Sequence, residues 1–236
     1  RLEVRQPLAY WLVGAFEPTF MALHEPRLHV TELREAGVYN HTLLAQSQGP
    51  PREQGDGALP ERLPQIEVNG GRVAFGQLTA DHAFDLTGSL AVDGELKPSD
   101  AGGAGAFDYL VTLVDTTPTH ADQPTTVEAT GKIDLKGQRV VASFSPMRFD
   151  PALGDFLPRE IRDWYRRMEP SGNVPTLSLT YSPHAEPSLT ASLDLDGVAL
   201  TLPRVGLRME RVNGRFSLHD HRVEVDGLEG MIEGLK

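Results

Sequence analysis

Cysteine is absent from this 236-residue chain. Its absence excludes a disulfide framework, a thiolate nucleophile and a Cys-ligated metal. Basic residues are scarce, 22 Lys+Arg against 33 Asp+Glu, for a net charge of −11. That balance argues against nucleic acid, whose phosphates need a basic face, and against electrostatic docking on anionic headgroups. Aromatics make up only 7%. Long apolar runs are missing too: the most apolar stretch, residues 8–16, is about half of the roughly 20 residues a spanning helix needs. No charged-then-apolar signal segment opens the chain, which begins at Arg1 and stops while a strand-like pattern is still running. It is expected to be a segment of a longer protein.

What is present is period-two alternation. Phe84, Leu86, Gly88, Leu90 and Val92 alternate with Asp85, Thr87, Ser89 and Asp93. Val127, Ala129, Ile133 and Leu135 oppose Glu128, Thr130, Lys132 and Asp134. Leu177, Leu179 and Tyr181, then Leu189, Ala191, Leu193 and Leu195, alternate with Ser, Thr and Asp. Val205, Leu207 and Met209 lead to Val212, Phe216 and Leu218, a slip of one that predicts a bulge or bend near Glu210–Arg211. Val223 and Val225 come next. Strands with one wet and one dry face are the antiparallel habit. Asn69-Gly70-Gly71, Asp93-Gly94, Lys136-Gly137, Asp196-Gly197 and Asn213-Gly214 supply turn or bulge chemistry within and between the runs.

Two stretches read as loops: a linker over residues 46–60, and a hairpin tip over residues 97–106 containing Gly102, Gly103 and Gly105. One stretch, residues 158–168, reads as a helix. Pro158 suits its first turn, and Ile161, Trp164, Tyr165 and Met168 form one apolar stripe. The stripe is expected to cap the end of a sheet; a movable lid is the sharper alternative. A second short helix is possible over residues 8–23.

Chemistry-bearing motifs are few. His219 and His221 share a strand face at i, i+2 and could begin a zinc site, but no third ligand accompanies them, so a solvated hairpin turn is expected. His24 and His29 flank Glu25-Pro26 as loop residues. There is no Gly-x-Ser-x-Gly elbow and no His-Glu-x-x-His, and the glycines near 102–105 lack a following Gly-Lys-Ser/Thr. Asn40-His41-Thr42 fits a glycosylation acceptor, meaningful only in a eukaryotic secreted chain. The chain is expected not to be an enzyme and to need no cofactor and no metal.

Four groups of residues carry a family resemblance. Leu63-Pro-Gln-Ile-Glu-Val-Asn-Gly-Gly-Arg-Val-Ala-Phe75 resembles the strand–turn–strand signature of AsmA-like proteins. Pro26-Arg-Leu-His-Val30 with Glu35-Ala-Gly-Val-Tyr-Asn40 resembles their upstream element, with Tyr39 where Trp is more usual. Arg211-Val-Asn-Gly-Arg-Phe-Ser-Leu218 with Arg222-Val-Glu-Val-Asp-Gly-Leu228 resembles their recurrent repeat, and the helix with Pro170-Ser-Gly-Asn-Val174 resembles a connector. The resemblance, to the TamB and YhdP types, implies a repeating β-groove rooted in the inner membrane by a segment outside this chain. It implies a bridge through the periplasm that passes phospholipid acyl chains toward the outer membrane.

The expected architecture is therefore mainly β: an antiparallel, strongly curved sheet forming an open groove, with one short helix near residues 158–168. The expected divisions are an N-terminal β segment (1–62), a central antiparallel sheet (63–157), a helical connector (158–172) and a C-terminal β repeat (173–236). One-sided alternation over about ten strands needs a cover for the dry face, and one helix is too little. Either two halves close as a sandwich, the module of a structural or adhesive envelope protein, or lipid is the missing layer. The lipid-facing candidates are Phe84, Leu86, Leu90, Val92, Val127, Ile133, Leu135, Leu177, Leu179, Leu189, Leu193, Leu195, Leu207 and Val225.

Overall fold

A computed structural model describes residues 1–7, 17–33, 38–39, 63–78, 81, 83–100, 105–118, 125–156, 159–203, 205–220 and 222–232. The side chains of 32, 33, 38, 39, 152, 159–161, 164 and 223 lie outside that description. The chain is mainly β, in open sheets, with one short helix. It divides into two compact units, Arg1–Thr126 and Val127–Lys236.

In the first unit the strands are β1 (Leu2–Arg5), β2 (Phe20–His24), β3 (Arg27–Leu33), β4 (Val38–Tyr39), β5 (Gln65–Leu78), β6 (Phe84–Pro98) and β7 (Ala106–Asp115). They run in the order β1-β2-β5-β6-β7, and β3 pairs both β4 and β5. The sheet is mixed, because β2 and β3 both lie parallel to β5. Alternation of polar and apolar residues is the same in either direction, so the pattern alone does not reveal this. A parallel neighbour needs a crossover of a dozen or more residues, and the sequence between β3 and β5 is long enough to supply it. β2 and β3 share one edge of β5, separated by a kink at Glu25, whose φ is 52°. The Glu25 amide donates to the Asn69 carbonyl, where β5 itself bulges.

In the second unit the strands are β8 (Thr126–Asp134), β9 (Arg139–Phe144), β10 (Met147–Phe149), β11 (Ser171–Tyr181), β12 (Leu189–Leu202), β13 (Leu207–His219) and β14 (Arg222–Ile232). The order β8-β9-β11-β12-β13-β14 is antiparallel throughout, with β10 on β11. A 3-10 turn (Pro151–Phe156) and helix α1 (Arg159–Met168) sit between β10 and β11 in the chain. Because β9 pairs directly with β11, the helix is an insertion within a unit and not a connector between domains. The division at Thr126 likewise falls inside the central sheet expected over 63–157.

The Asn/Asp-Gly pairs lie mid-strand, not in turns: Asn69-Gly70, Asp196-Gly197 and Asp226-Gly227 carry bulges, and Asp93-Gly94 and Asn213-Gly214 lie opposite them on the neighbouring strand. Only Lys136-Gly137 is a true turn, its two amides donating to the Asp134 carboxylate at 3.0 and 2.9 Å. The slip expected near Glu210–Arg211 is there: Arg211 has φ 52°, and the β13–β14 register shifts between Glu210 and Asn213. Such left-handed residues are where an extra residue can enter a strand. Gly197, at φ +64°, is one. Its amide donates to Asn213 Oδ1 at 2.9 Å on the neighbouring strand, and the Gly70 amide donates to Asp93 Oδ1 at 2.6 Å in the other unit. A side chain from the next strand thus satisfies the amide that each bulge pulls out of the ladder.

Four predicted features fall partly or wholly outside the described residues. The linker over 46–60 and the acceptor Asn40 are outside. Of the helix expected over 8–23, residues 8–16 are outside, and Phe20–His24 is β2, paired with β1 and β5. Residues 101–104 of the hairpin tip are outside as well.

Asn213→Ala is expected to leave the Gly197 amide without its acceptor and lower stability by about 1 kcal/mol. Asn213→Asp keeps the acceptor and should recover most of that loss in a urea melt.

Candidate functional site: an apolar sheet face

Directly paired residues on neighbouring strands carry their side chains on the same face. Register therefore assigns faces. In the second unit one row runs Ala129–Phe144–Leu177–Leu193–Phe216–Val225 across all six strands. A second runs Gly131–Ala142–Leu179–Ala191–Leu218. A third runs Ile133–Val140–Tyr181–Leu189. These rows carry no charge, and their one polar side-chain atom is the Tyr181 hydroxyl.

The opposite face is its chemical inverse. Thr130–Ser143–Ser178–Ser192–Ser217 is an unbroken row of hydroxyls. Beside it runs Thr176–Asp194–Arg215–Asp226. Asp194 accepts from the Thr176 hydroxyl and from Arg215 Nε at 2.6 Å. The Arg215 hydrogen bond, then that of Thr176, holds the Asp194 carboxyl below its usual value. Arg215 is raised correspondingly, chiefly by Asp194 and further by the charge of Asp226.

The bulges keep the apolar face in phase. Between Leu195 and Val198, β12 advances three residues while β13 advances two, from Gly214 to Val212. Apolar positions change from odd to even numbers, yet stay on the same side. Val198 and Val212 are fully buried there with Val174, Leu195 and Leu200, and Met147, Phe149, Leu177, Leu193, Met209 and Phe216 pack against them. Tyr165 of α1 meets Phe149 edge-on, with ring centroids 6.0 Å apart, and donates its hydroxyl to the Asp150 carbonyl at 2.7 Å. Burial pushes the Tyr165 phenol far above its ordinary pKa. The helix thus covers the strand ends that carry Phe149, as the cap reading expects. Elsewhere on the face Leu177, Leu189, Leu193 and Val225 stay half-buried or exposed, while the small Ala129 and Ala142 are buried.

In the first unit Ile66–Leu96–Tyr109, Val68–Gly94–Val111, Gly71–Val92–Leu113 and Val73–Leu90 share a face. Leu90 also pairs with Asp115, a buried carboxylate that accepts from the Thr117 amide at 2.8 Å.

Of the sequence-predicted lipid-facing residues, Leu90 and Val92 lie on the apolar face of the first unit. Val127, Ile133, Leu177, Leu179, Leu189, Leu193, Leu195 and Val225 lie on that of the second. Leu207 pairs with Leu202 at its margin, 39% exposed. Three placements are corrected. Phe84 and Leu86 fall on the opposite face from Leu90, because β6 advances two residues from Leu86 to Gly88 while β5 moves only from Gly76 to Phe75. Phe84 accordingly meets the ring of His29, on the polar side, at 5.1 Å. Leu135 lies past the end of β8, in the turn, 46% exposed. Val174, Val198, Leu200 and Val212 were not among the lipid-facing candidates, yet all four are buried on this face. The signal was the Asp-Gly pair inside the β12 run, which reverses the parity of the residues after it.

The hairpin turn after His219 is more than a solvated turn. Asp220 accepts from the Ser188 hydroxyl and the Leu189 amide, each at 2.8 Å, and from the Ser188 amide at 3.1 Å. It ties the β11–β12 loop to the β13–β14 turn beside Leu189. Among the described residues no three His, Asp or Glu gather to hold a metal, and no helix is long and apolar enough to cross a membrane.

Two carboxyls, Glu3 and Asp194, are held below their ordinary values by a neighbouring arginine, and Asp194 is the one on the polar face of the second unit. Its native pKa lies below the ordinary 3.8. The Asp194–Arg215 pair therefore adds stability above that ordinary value and loses it as pH falls through the native one. Asp194→Asn should flatten the acid limb of a Tm-against-pH curve below the ordinary value of 3.8 and leave the neutral region's slope unchanged.

No family model matches the sequence, and neither a curated protein nor a solved structure matches it.

Proposed function

We propose that the chain is a segment of a periplasmic bridge-like protein that carries phospholipid acyl chains along its apolar sheet face. In this reading it serves envelope biogenesis between the inner and outer membranes, and a segment outside this chain anchors it to the inner membrane. The reading rests on one observation: a face six strands wide, free of charge, that lies half-exposed beyond the helix-capped end. The described strands of the second unit form a single sheet, and this favours an open face over the closed sandwich of a structural module.

The physics suits transit more than capture. Each acyl CH₂ moved from water to such a surface gains about 0.8 kcal/mol, whatever the headgroup. Five intervals at about 4.8 Å make the row from Ala129 to Val225 roughly 24 Å long. One bilayer leaflet is about 15 Å of hydrocarbon, so an extended acyl chain fits along it. With no cation or hydrogen-bond donor in the row, nothing fixes a headgroup at one point.

Leu193→Asp tests this directly. It sets a carboxylate in the middle of the first row. In an open face the charge stays wetted and the fold survives; in a closed core it costs several kcal/mol. The expected result is a melt lowered far less than a closed core would give, with loss of phospholipid that co-purifies with the native chain, read by mass spectrometry. Collapse of the fold would favour the sandwich. Undiminished lipid in a folded variant would refute the acyl path.

A further inference from the structure

The tip of the β12–β13 hairpin is apolar where a turn is ordinarily polar. Val205 is 62% exposed, more than any other large apolar residue described, and the paired Leu202 and Leu207 on either side of the turn are exposed with it. At the other end of β12 the sequence changes character. The β11–β12 loop, residues 182–188, and the β13–β14 turn at Asp220 carry no large apolar residue. The tip lies inside the chain, flanked on both sides by paired strands. Its backbone is already prepared for a dry surrounding. Pro203 has no amide hydrogen, and the Val205 and Gly206 amides both donate to the Leu202 carbonyl, at 3.2 and 2.8 Å. Gly206, at φ +65°, has open space where a Cβ would stand.

We propose that this hairpin tip docks the chain on a bilayer surface containing anionic phospholipid. Leu202, Val205 and Leu207 enter the boundary between headgroups and acyl chains, and Arg208 meets the phosphates.

Charge and size select this occupant over a protein partner. In a chain of net charge −11, residues 202–209 hold Arg204 and Arg208 and no acid. The excess acid lies elsewhere, and beyond about 8 Å it is screened at physiological salt. Arg208 follows Leu207 and so points to the other face of β13, where its Nη1 donates to Thr201 Oγ1 at 3.3 Å. A guanidinium has five N–H donors, and this contact uses one. A stable protein interface needs roughly 20–30 residues a side, far more than a two-strand tip presents. A membrane needs only a few inserted side chains backed by cations. Amides bonded within the turn lose no partner on leaving water.

The experiment uses the full chain with one dye. Because it has no cysteine, Val205→Cys and His184→Cys each supply a single labelling point, one on the tip and one in the exposed loop before β12. On vesicles of phosphatidylcholine and phosphatidylglycerol, a polarity-sensitive dye at 205 should brighten and be quenched by spin-labelled acyl chains. The same dye at 184 should do neither. Val205→Asp should weaken vesicle binding roughly tenfold. Arg208→Gln should weaken it roughly fivefold on the mixed vesicles and leave binding to pure phosphatidylcholine unchanged, with thermal melts confirming both folds. Leu193→Asp, which breaks the acyl row, should keep the response at 205, so docking and the acyl path can fail separately. No response at 205, an equal response at 184, or undiminished binding of Val205→Asp or Arg208→Gln would each overturn the proposal. So would loss of the 205 response in Leu193→Asp, or a response at 205 without vesicles that grows with chain concentration, the mark of a second copy.

Discussion

Everything in the second unit depends on keeping one sheet face wholly apolar over long, twisted strands. A strand of period two holds its phase only while every neighbour advances at the same rate. Strands of 11 to 14 residues such as β11 to β14 must also bend. Each bulge inserts one residue, so it supplies the bend and reverses the parity of the sequence at once. The sequence answers by reversing its own alternation at the same place: odd apolar positions through Leu195, even ones from Val198. Without that matching reversal, Val198 and Leu200, both buried, would stand in water and Ala199 would enter the core.

The two units meet this constraint with the same parts. In each, an Asx-Gly pair carries the bulge and an Asx on the adjoining strand receives the freed glycine amide, Asp93 for Gly70 and Asn213 for Gly197. In each, two short strands divide one edge of a long bulged strand, β2 and β3 on β5, β9 and β10 on β11. A kink at Glu25-Pro26 or Ser145-Pro146 separates them. The break in the short partner sits beside the bulge in the long one, so the ladder is interrupted once and not twice. The polar faces are held differently. The second unit uses hydroxyls and the Asp194–Arg215 pair, while the first sinks Ser89 against Thr116 and Thr117.

How much of this was legible in the sequence is a matter of period and parity. Strands β8, β11, β12 and β13 could be read because their alternation is uninterrupted over four or more residues. The bulge at Arg211 could be read because the alternation visibly slips there. Phe84 and Leu86 could not, because the β6 bulge lies at Thr87 inside an alternation that looks perfect, and the extra residue shows only against β5. Asx-Gly reads as a hairpin turn because both uses need the same left-handed backbone. The parallel pairing of β2 and β3 leaves no mark in local pattern at all. The AsmA-like resemblance rests on the short motifs alone.

If acyl chains travel on one face and not the other, the two faces must meet lipid differently. Leu193 and Ser192 are adjacent on β12 and point to opposite sides, Leu193 in the apolar row and Ser192 in the hydroxyl row. A photoreactive residue at each position, irradiated in cells making labelled phospholipid, reads the two faces separately. Lipid adducts are expected at 193 and none at 192. Equal labelling at both, or labelling at 192 alone, would contradict the acyl path.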